Sequence, residues 1–254
     1  MADASFFVGV IGDHSFTVFP SNIISILMFL SPVPTFWKIK KQGSTEDFSS
    51  LPYICTLLNC SLWTYYGIIN AREYLVATVN GFGIVVETIY VILFLIYAPK
   101  GRRGRTVILA VILDVAILAA AVVITQLAFQ GKARSGAVGV MGAGLNIVMY
   151  FSPLSAMKTV VKTKSVEYMP FLLSFFFFLN GGVWLLYAVL VRDVILGVPN
   201  GTGFLLGAMQ LVLYAIYRNG KPSSNNRLEE GLQHEPLISQ PNKESHQIRE
   251  DKPI

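Results

Sequence analysis

Two sets of neutral polar and aromatic side chains recur at the same spacing in two distant parts of the chain. Each set holds an amide, an indole and a phenol at positions i, i+4 and i+7, which lie on one face of an α-helix. The sets are Asn59, Trp63 and Tyr66, and then Asn180, Trp184 and Tyr187. An amide both donates and accepts hydrogen bonds, as a hydroxyl group does, and aromatic faces can cover C–H groups. The pattern predicts a site for a neutral ligand rich in hydroxyl groups.

The segments that follow the two sets add one amide each, Asn80 and Asn200. A structural explanation also exists, because asparagines commonly form hydrogen bonds between membrane helices. A tryptophan near the end of a membrane span can likewise lie at the membrane interface. The sequence alone leaves these alternatives open.

Four prolines stand at corresponding places in the two parts of the chain: Pro32, Pro52, Pro153 and Pro170. Pro32 and Pro153 fall inside apolar segments, where proline removes one helix hydrogen bond and frees the carbonyl four residues earlier. Those carbonyls belong to Met28 and Met149. Pro52 and Pro170 fall at or near a helix start, where proline is well tolerated. Their symmetric placement favours hinges over incidental kinks.

The composition identifies the elements that carry these residues as membrane helices. Hydrophobic residues make up 53% of the 254 residues and charged residues only 14%, about half the charged fraction of a soluble globular domain. A spanning helix needs about 20 mostly apolar residues. Seven segments qualify, at about 16–38, 52–69, 74–98, 106–128, 136–157, 169–191 and 194–217. The fold class predicted is therefore an all-α membrane protein with seven transmembrane helices.

The basic residues of the loops predict the orientation of these helices. Loops after the first, third and fifth spans hold ten lysines and arginines, against four in the loops after the second, fourth and sixth spans. Because basic loops stay in the cytosol, we expect an extracytosolic N-terminus and a cytosolic C-terminus. The polar segment 218–254 is expected to be a disordered cytosolic tail.

A repeat relates the two parts of the chain. A shift of 121 residues carries Met28, Ser31 and Pro32 onto Met149, Ser152 and Pro153, and it also superimposes the two amide–indole–phenol sets. A shift of 120 aligns Asn80 with Asn200. Three helices per repeat would invert the second copy unless one extra helix joined them. The division predicted is 1–15 as an extracytosolic N-terminus, 16–98 as the first three-helix repeat, 99–133 as a cytosolic loop with linker helix 4, 134–217 as the second repeat, and 218–254 as the tail. This is a 3+1+3 arrangement of parallel repeats.

These features resemble the SWEET family of sugar transporters. The resemblance runs from about Asn22 to Tyr217 and rests on segments such as FLSP, STEDFSSLPY, VNGFG, YFSPLSAMKTVVKTKSVEYMPF and VPNGTG. It looks closest to plant members of the vacuolar-membrane branch. One departure is the segment DHSFTVFPS, residues 13–21, which intervenes before Asn22 and places Pro20 near the start of the first span.

The resemblance implies facilitative, bidirectional sugar transport by alternating access. Asn80 and Asn200 match sugar-contacting residues of the family, and Trp63 and Trp184 match the aromatic walls of its pocket. Four further residues match a size filter, and their bulk favours a monosaccharide such as glucose or fructose: Met28, Met149, Asn59 and Asn180. Tyr66 and Asp193 resemble the extracytosolic gate, and the four prolines resemble hinges on the cytosolic side.

Two acidic residues, Glu87 and Asp114, lie within apolar spans. An acid inside a membrane is a candidate for proton coupling. Neither acid is duplicated in the other half, however, so we expect both to form structural hydrogen bonds and transport to be uncoupled.

Other chemistries lack the residues that they need. Cys55 and Cys60 lie in one apolar stretch and read as buried thiols, and the three histidines lie near the chain ends. We therefore predict no enzyme, no metal site and no cofactor. The expected partners are a sugar substrate and membrane lipid, with a homo-oligomer left open and nucleic acid not expected. The vacuolar membrane is the favoured location, with the plasma membrane as the alternative. A seven-helix receptor and a channel for a small non-sugar solute are the alternative functions.

Overall fold

The computed structural model describes residues 15–45, 48–70, 74–166, 169 and 171–219, with side chains from residue 21 onward. The predicted N-terminal segment before residue 15, Pro170 and nearly all of the predicted tail lie outside the described residues. Throughout the described ranges the regular structure is helical and includes no β-strand.

Nine helices carry the described chain. In chain order they are α1 (Ser15–Leu30), α2 (Val33–Gln42), α3 (Leu51–Ile69), α4 (Tyr74–Tyr97), α5 (Lys100–Ala128), α6 (Gly131–Met149), α7 (Phe151–Thr163), α8 (Phe171–Val191) and α9 (Val194–Tyr217). The predicted spans at 52–69, 74–98, 169–191 and 194–217 agree with α3, α4, α8 and α9 to within two residues at each end. Helix α1 is described from Ser15 onward and runs through Pro20, so the described part of the segment, residues 15–21, is helical.

The first and fifth predicted spans are each divided into two helices. The break between α1 and α2 lies at Ser31–Pro32, and the break between α6 and α7 lies at Tyr150. Pro32 immediately precedes α2, and Pro153 is the third residue of α7. Each proline lacks the N–H that would continue the backbone hydrogen bonds of the preceding helix. Each also lies at or near the start of the next helix.

Six helical segments of the described chain are long and apolar enough to cross a membrane. They are Ser21–Gln42, Tyr74–Tyr97, Lys100–Ala128, Gly131–Thr163, Phe171–Val191 and Val194–Tyr217. Helix α3 carries more polar side chains, but its 19 residues give it a length of about 28 Å, close to the hydrocarbon thickness of a bilayer. It packs against α4 and α6. With α3 included, the helices make the seven spans that the sequence predicts.

The spans form two three-helix bundles with matching contacts. In the first bundle α4 packs against both α1 and α3, and in the second bundle α9 packs against both α6 and α8. The third helix of each repeat thus lies between the other two. Between the bundles α1 packs against α8 and α3 packs against α6. These two contacts exchange under the repeat, which gives the fold its pseudo-twofold symmetry.

Helix α5 is the linker, and it lies on the outside of the first bundle against α3 and α4. Most of its side chains are exposed to the surroundings, as expected for a helix that faces lipid. Its middle segment, Val111–Ile117, is π-helical. This segment contains Asp114, the acid that the sequence places inside the span.

Candidate functional site

A cavity of about 280 Å³ lies between the two bundles. All eight residues predicted to bind substrate line it: Met28, Asn59, Trp63, Asn80, Met149, Asn180, Trp184 and Asn200. They come from the three helices of each repeat. The lining residues are neutral, and five of them are asparagines. Such a cavity can exchange hydrogen bonds with hydroxyl groups and offers aromatic and aliphatic surface to C–H groups.

The two tryptophans occupy equivalent positions and are almost fully buried. Trp63 packs edge-on against Tyr66 with ring centroids 5.3 Å apart, and Trp184 packs edge-on against Tyr187 at 5.6 Å. Exposed fractions of 4% and 6% for Trp63 and Trp184 exclude an interfacial position facing lipid and water. The indoles therefore form walls inside the protein.

Ser25 of α1 links two of these residues to the opposite bundle. Its hydroxyl donates to Oδ1 of Asn180 at 2.7 Å and accepts from Nε1 of Trp184 at 2.8 Å. In the other half, Nδ2 of Asn59 donates to the carbonyl of Gly142 at 3.3 Å. Helix-to-helix bonding, the structural alternative for the asparagines, thus applies to Asn59 and Asn180.

Asn80 and Asn200 are held differently. Nδ2 of Asn80 donates to the carbonyl of Val76, and Nδ2 of Asn200 donates to that of Leu196, both at 2.8 Å. Each amide therefore uses one N–H to fix its orientation on its own helix. An asparagine has further donor and acceptor capacity, and both residues of this pair line the cavity.

Several cavity residues were not predicted from the sequence. The repeat shift pairs most of them: Ser25 with Asn146, Phe29 with Tyr150, Thr56 with Phe177, and Val76 with Leu196. Ser25 and Asn146 lie one helical turn before Met28 and Met149, so the same helix face carries both pairs. Applying the 121-residue shift to that turn would have identified them. The two residues of each pair are of different types, so a search for identical residues at the repeat spacing does not find them.

The two predicted gate residues meet at one end of the bundles. The hydroxyl of Tyr66, near the end of α3, donates to Oδ2 of Asp193, which precedes α9. The other carboxylate oxygen of Asp193 accepts from the backbone N–H of Leu196 at 3.0 Å and so caps α9. One carboxylate thus both starts a helix of the second bundle and joins it to the first.

The prolines lie at helix breaks and starts. Pro153 also lines the cavity, and Pro52 is the second residue of α3. The carbonyl of Met28, expected to be left free by Pro32, accepts instead from the N–H of Ser31 at 3.1 Å. Pro199 lies inside α9, and its backbone carbonyl accepts from the hydroxyl of Tyr150 at 2.6 Å.

The expectation that Glu87 and Asp114 form structural hydrogen bonds needs correction. Oε2 of Glu87 and both carboxylate oxygens of Asp114 are buried without a hydrogen-bond partner among the described residues. Glu87 is buried at 3% exposure, and Asp114 lies in the π-helical segment of the linker. Neither acid lines the cavity.

No group of three or more His, Cys, Asp or Glu side chains within the described ranges could hold a metal ion. Cys55 and Cys60 are free thiols; Cys60 is buried, whereas Cys55 is only partly buried. The chemistry of the cavity is therefore that of neutral hydrogen bonding and apolar contact.

The sequence of this chain is similar to the sequences of known proteins. The sequence matches the family described as "Sugar efflux transporter for intercellular exchange" over residues 16–102 and 136–222. It is 60% identical to the Arabidopsis thaliana protein "Bidirectional sugar transporter SWEET17", covering 94% of this chain and 100% of that protein. It is 53% identical to "Bidirectional sugar transporter SWEET16" of the same plant, again covering 94% and 100%.

A solved structure shares the fold. The chain superimposes on "The 3.7 A resolution structure of a eukaryotic SWEET transporter" with a TM-score of 0.78 and 40% sequence identity. The match covers 82% of this chain and 97% of that chain. The predicted fold class, with two parallel three-helix repeats and a linker helix, is thereby confirmed.

Proposed function

Because this chain belongs to the family of sugar efflux transporters for intercellular exchange, we propose that it carries hexoses in both directions through the cavity between its bundles. It is a multi-pass membrane protein and a bidirectional sugar transporter, not an enzyme. Membership in this family argues against the two alternative functions, a seven-helix receptor and a channel for a small solute. We also propose which sugar is preferred, which residues bind it and in which membrane the transporter works.

The observation that carries the proposal is the convergence of eight predicted residues on one neutral cavity. Asn80 and Asn200 present their amides from the central helix of each bundle, and each is oriented by a bond to its own backbone. We assign to this pair the hydrogen bonds with sugar hydroxyl groups. Trp63 and Trp184 then cover the faces of the ring, where C–H groups favour aromatic contact.

The preference for a monosaccharide rests on the four residues that narrow the cavity. Met28 and Met149 lie just before the two helix breaks, and Asn59 and Asn180 lie one turn from the tryptophans. All four line a cavity of about 280 Å³. Because their side chains approach from two symmetric sides, a second sugar ring would need the space that they occupy.

Alternating access requires a gate at one end and hinges near the other. The bond between Tyr66 and Asp193 joins the bundles at one end of the cavity. The breaks next to Pro32 and Pro153 allow the outer parts of the first and fifth spans to change angle, and Pro52 and Pro170 are assigned the same role at the second and sixth spans. Opening of the gate with closure around the hinges would expose the sugar to the opposite side.

The location and assembly follow from the relatives and the loops. Similarity to SWEET17 and SWEET16 supports the vacuolar-membrane branch, and the basic loops support a cytosolic C-terminus and an extracytosolic N-terminus. A homo-oligomer in membrane lipid is compatible with the outward-facing linker helix α5. A fluorescent fusion followed in intact cells and isolated vacuoles tests the location.

Uptake of radiolabelled glucose, fructose and sucrose by proteoliposomes tests the activity. We expect glucose and fructose to enter and sucrose to remain outside. Liposomes with the Asn80→Ala/Asn200→Ala double variant provide the control for leakage. Equal uptake of sucrose would contradict the hexose preference, and absence of all three sugars would contradict the transport proposal itself.

A further inference from the structure

The break between α1 and α2 is surrounded by an unusual pattern of backbone hydrogen bonds. Pro32 and Pro34 lack the N–H groups that would bond to the carbonyls of Met28 and Leu30 in a continuous helix. The N–H of Ser31 bonds to the carbonyl of Met28 at 3.1 Å. Between the carbonyls of Met28 and Leu30 lies that of Phe29, which accepts a hydrogen bond from a side chain of another helix.

That donor is Tyr90 of α4, whose hydroxyl lies 3.0 Å from the carbonyl oxygen of Phe29. The ring of Tyr90 stacks on Phe36 of α2, with centroids 4.5 Å apart and planes inclined by 10°. Phe29 lies before the break and Phe36 lies after it. One side chain therefore contacts both sides of the break, through its hydroxyl on one side and its ring on the other.

The position of Tyr90 is fixed by its surroundings. It is 3% exposed, and Phe36 is 5% exposed. Tyr53 of α3 packs edge-on against Phe36 at 4.9 Å and lies against Tyr90 at 5.7 Å. The break in the first span is thus held against the other two helices of its bundle. A polar side chain that bonds to a helix carbonyl is a recognised cause of a defined kink.

The second repeat secures the corresponding position by different chemistry. Phe29 corresponds to Tyr150, and the hydroxyl of Tyr150 donates to the carbonyl of Pro199 in α9. Tyr90 itself corresponds to Gln210. In both halves, the residue near the break is bonded to the third helix of the repeat, but donor and acceptor have changed places. Pro199 corresponds to Val79 and not to Tyr90, so the two links contact the third helix at different levels.

We propose that Tyr90 is a positioning residue for transport, which sets the angle between α1 and α2 and thereby the rate at which the bundles exchange conformations. The inference rests on the proposed transport function. Helix α1 supplies Ser25 and Met28 to the cavity and packs against α8 of the other bundle. A change of angle at the break moves this cavity wall relative to the opposite bundle. Tyr90 does not line the cavity, so its effect on sugar binding is small.

Initial rates of hexose uptake in proteoliposomes test the proposal with Tyr90→Phe, which removes only the hydroxyl. We expect the maximal rate per reconstituted molecule to fall at least threefold while KM changes less than twofold. Tyr53→Phe is the matched control, because it removes a hydroxyl group from the same aromatic cluster. The hydroxyl of Tyr53 takes part in none of the described hydrogen bonds at the break. The Tyr53→Phe variant should retain both constants. A Tyr90→Phe variant with an unchanged maximal rate, or with a raised KM at full rate, would refute the role.

A measurement that needs no sugar separates this inference from the transport proposal. Spin-labelled unnatural residues at the exposed positions Lys41 and Lys162 would report the separation between the ends of α2 and α7. We expect Tyr90→Phe to broaden the distance distribution and Tyr53→Phe to leave it unchanged. If Tyr90→Phe does not fold, Phe36→Leu removes the other contact and should broaden the distribution in its place. A distribution identical to that of the native protein in a folded variant would overturn the hinge role, whether or not sugar is carried.

Discussion

The asparagines of the cavity are committed to protein hydrogen bonds to different degrees. Asn180 accepts from Ser25 across the bundle interface, and Asn59 donates to the backbone of Gly142 across the same interface. The described bonds of Asn80 and Asn200 use one N–H each, within their own helices. The second pair is therefore better suited to hold a substrate, while the first pair also stabilises the closed contact between bundles.

We expect Asn80→Ala and Asn200→Ala each to abolish most hexose transport at an unchanged amount of protein in the membrane. Loss of the partner of a hydroxyl in a dry pocket costs about 1–3 kcal/mol, which corresponds to roughly five- to 160-fold weaker binding. Uptake assays with Asn219→Ala as the control check this, because Asn219 is exposed beyond α9. Normal uptake by both cavity variants would remove these residues from the site.

Combined replacement of the four narrowing residues should admit a larger sugar. The variant carries Met28→Val, Met149→Val, Asn59→Ser and Asn180→Ser, and we expect it to gain sucrose uptake while keeping part of its hexose uptake. The changes enlarge the cavity without adding charge or altering a proline. Met157→Val/Met209→Val, which lies outside the cavity, should not transport sucrose. A folded quadruple variant that carries hexose and excludes sucrose would contradict the size-filter assignment.

At the scale of the helices, two glycines of the second bundle allow the backbones of α8 and α9 to approach closely. A Cβ atom on Gly181 of α8 would lie 2.6 Å from the backbone nitrogen of Phe204 in α9. One on Gly207 of α9 would lie 2.6 Å from Cα of Phe178 in α8. Backbone atoms cannot yield as side chains do, so these two glycines fix the separation of α8 and α9. In the first bundle a Cβ atom on Gly83 would instead lie close to side-chain atoms of Cys60 and Phe29.

We therefore expect Gly181→Ala and Gly207→Ala to destabilise the protein by about 1–3 kcal/mol each through overpacking. The melting temperature in detergent should fall by at least about 2 °C. Gly81→Ala and Gly144→Ala are matched controls in helices, because a Cβ atom at either position meets open space. They should leave the melting temperature unchanged or raise it. Equal melting temperatures for all four variants would show that α8 and α9 can separate without penalty.

The helices themselves could be predicted from the sequence, but the details at their breaks could not. Hydropathy located the spans, because nearly every backbone polar group in a membrane must be satisfied within a helix. Proline predicted both breaks, yet the second break falls at Tyr150, three residues before Pro153. The link from Ser25 to Trp184 and Asn180 depends on how two distant helices face each other, and a single serine in an apolar segment carries no signal of it. The same holds for the unpartnered oxygens of Glu87 and Asp114.

At the scale of the whole molecule, the cavity and the two membrane acids are separate. Glu87 lies in the core of the first bundle and Asp114 in the linker helix, and neither lines the cavity. Coupled transport needs a proton site whose occupancy changes the affinity for substrate or the access to it. The lining residues of the cavity carry no carboxylate, so sugar and proton have no shared site there.

Uptake should consequently equilibrate sugar across the membrane without accumulating it, and it should vary little between about pH 5 and 8. Proteoliposomes with an imposed proton gradient check this by comparing the internal and external sugar concentrations at the plateau. Glu87→Gln/Asp114→Asn should reach the same plateau as the native protein. Sugar concentrated above the external level, and lost in that double variant, would establish coupling.

The pairing of the cavity residues has a statistical consequence for the bound sugar. A hexose has no twofold axis, so a pseudo-twofold cavity whose walls are Trp63 and Trp184, as we propose, offers it two orientations that exchange which face of the ring lies against which tryptophan. Two poses of equal energy would strengthen binding by a factor of two, or roughly 0.4 kcal/mol at RT of about 0.59 kcal/mol. Only the unlike pairs, such as Ser25 with Asn146 and Thr56 with Phe177, distinguish the poses. Exchanging the members of these pairs should reverse which end of the ring faces each bundle and leave the affinity nearly unchanged.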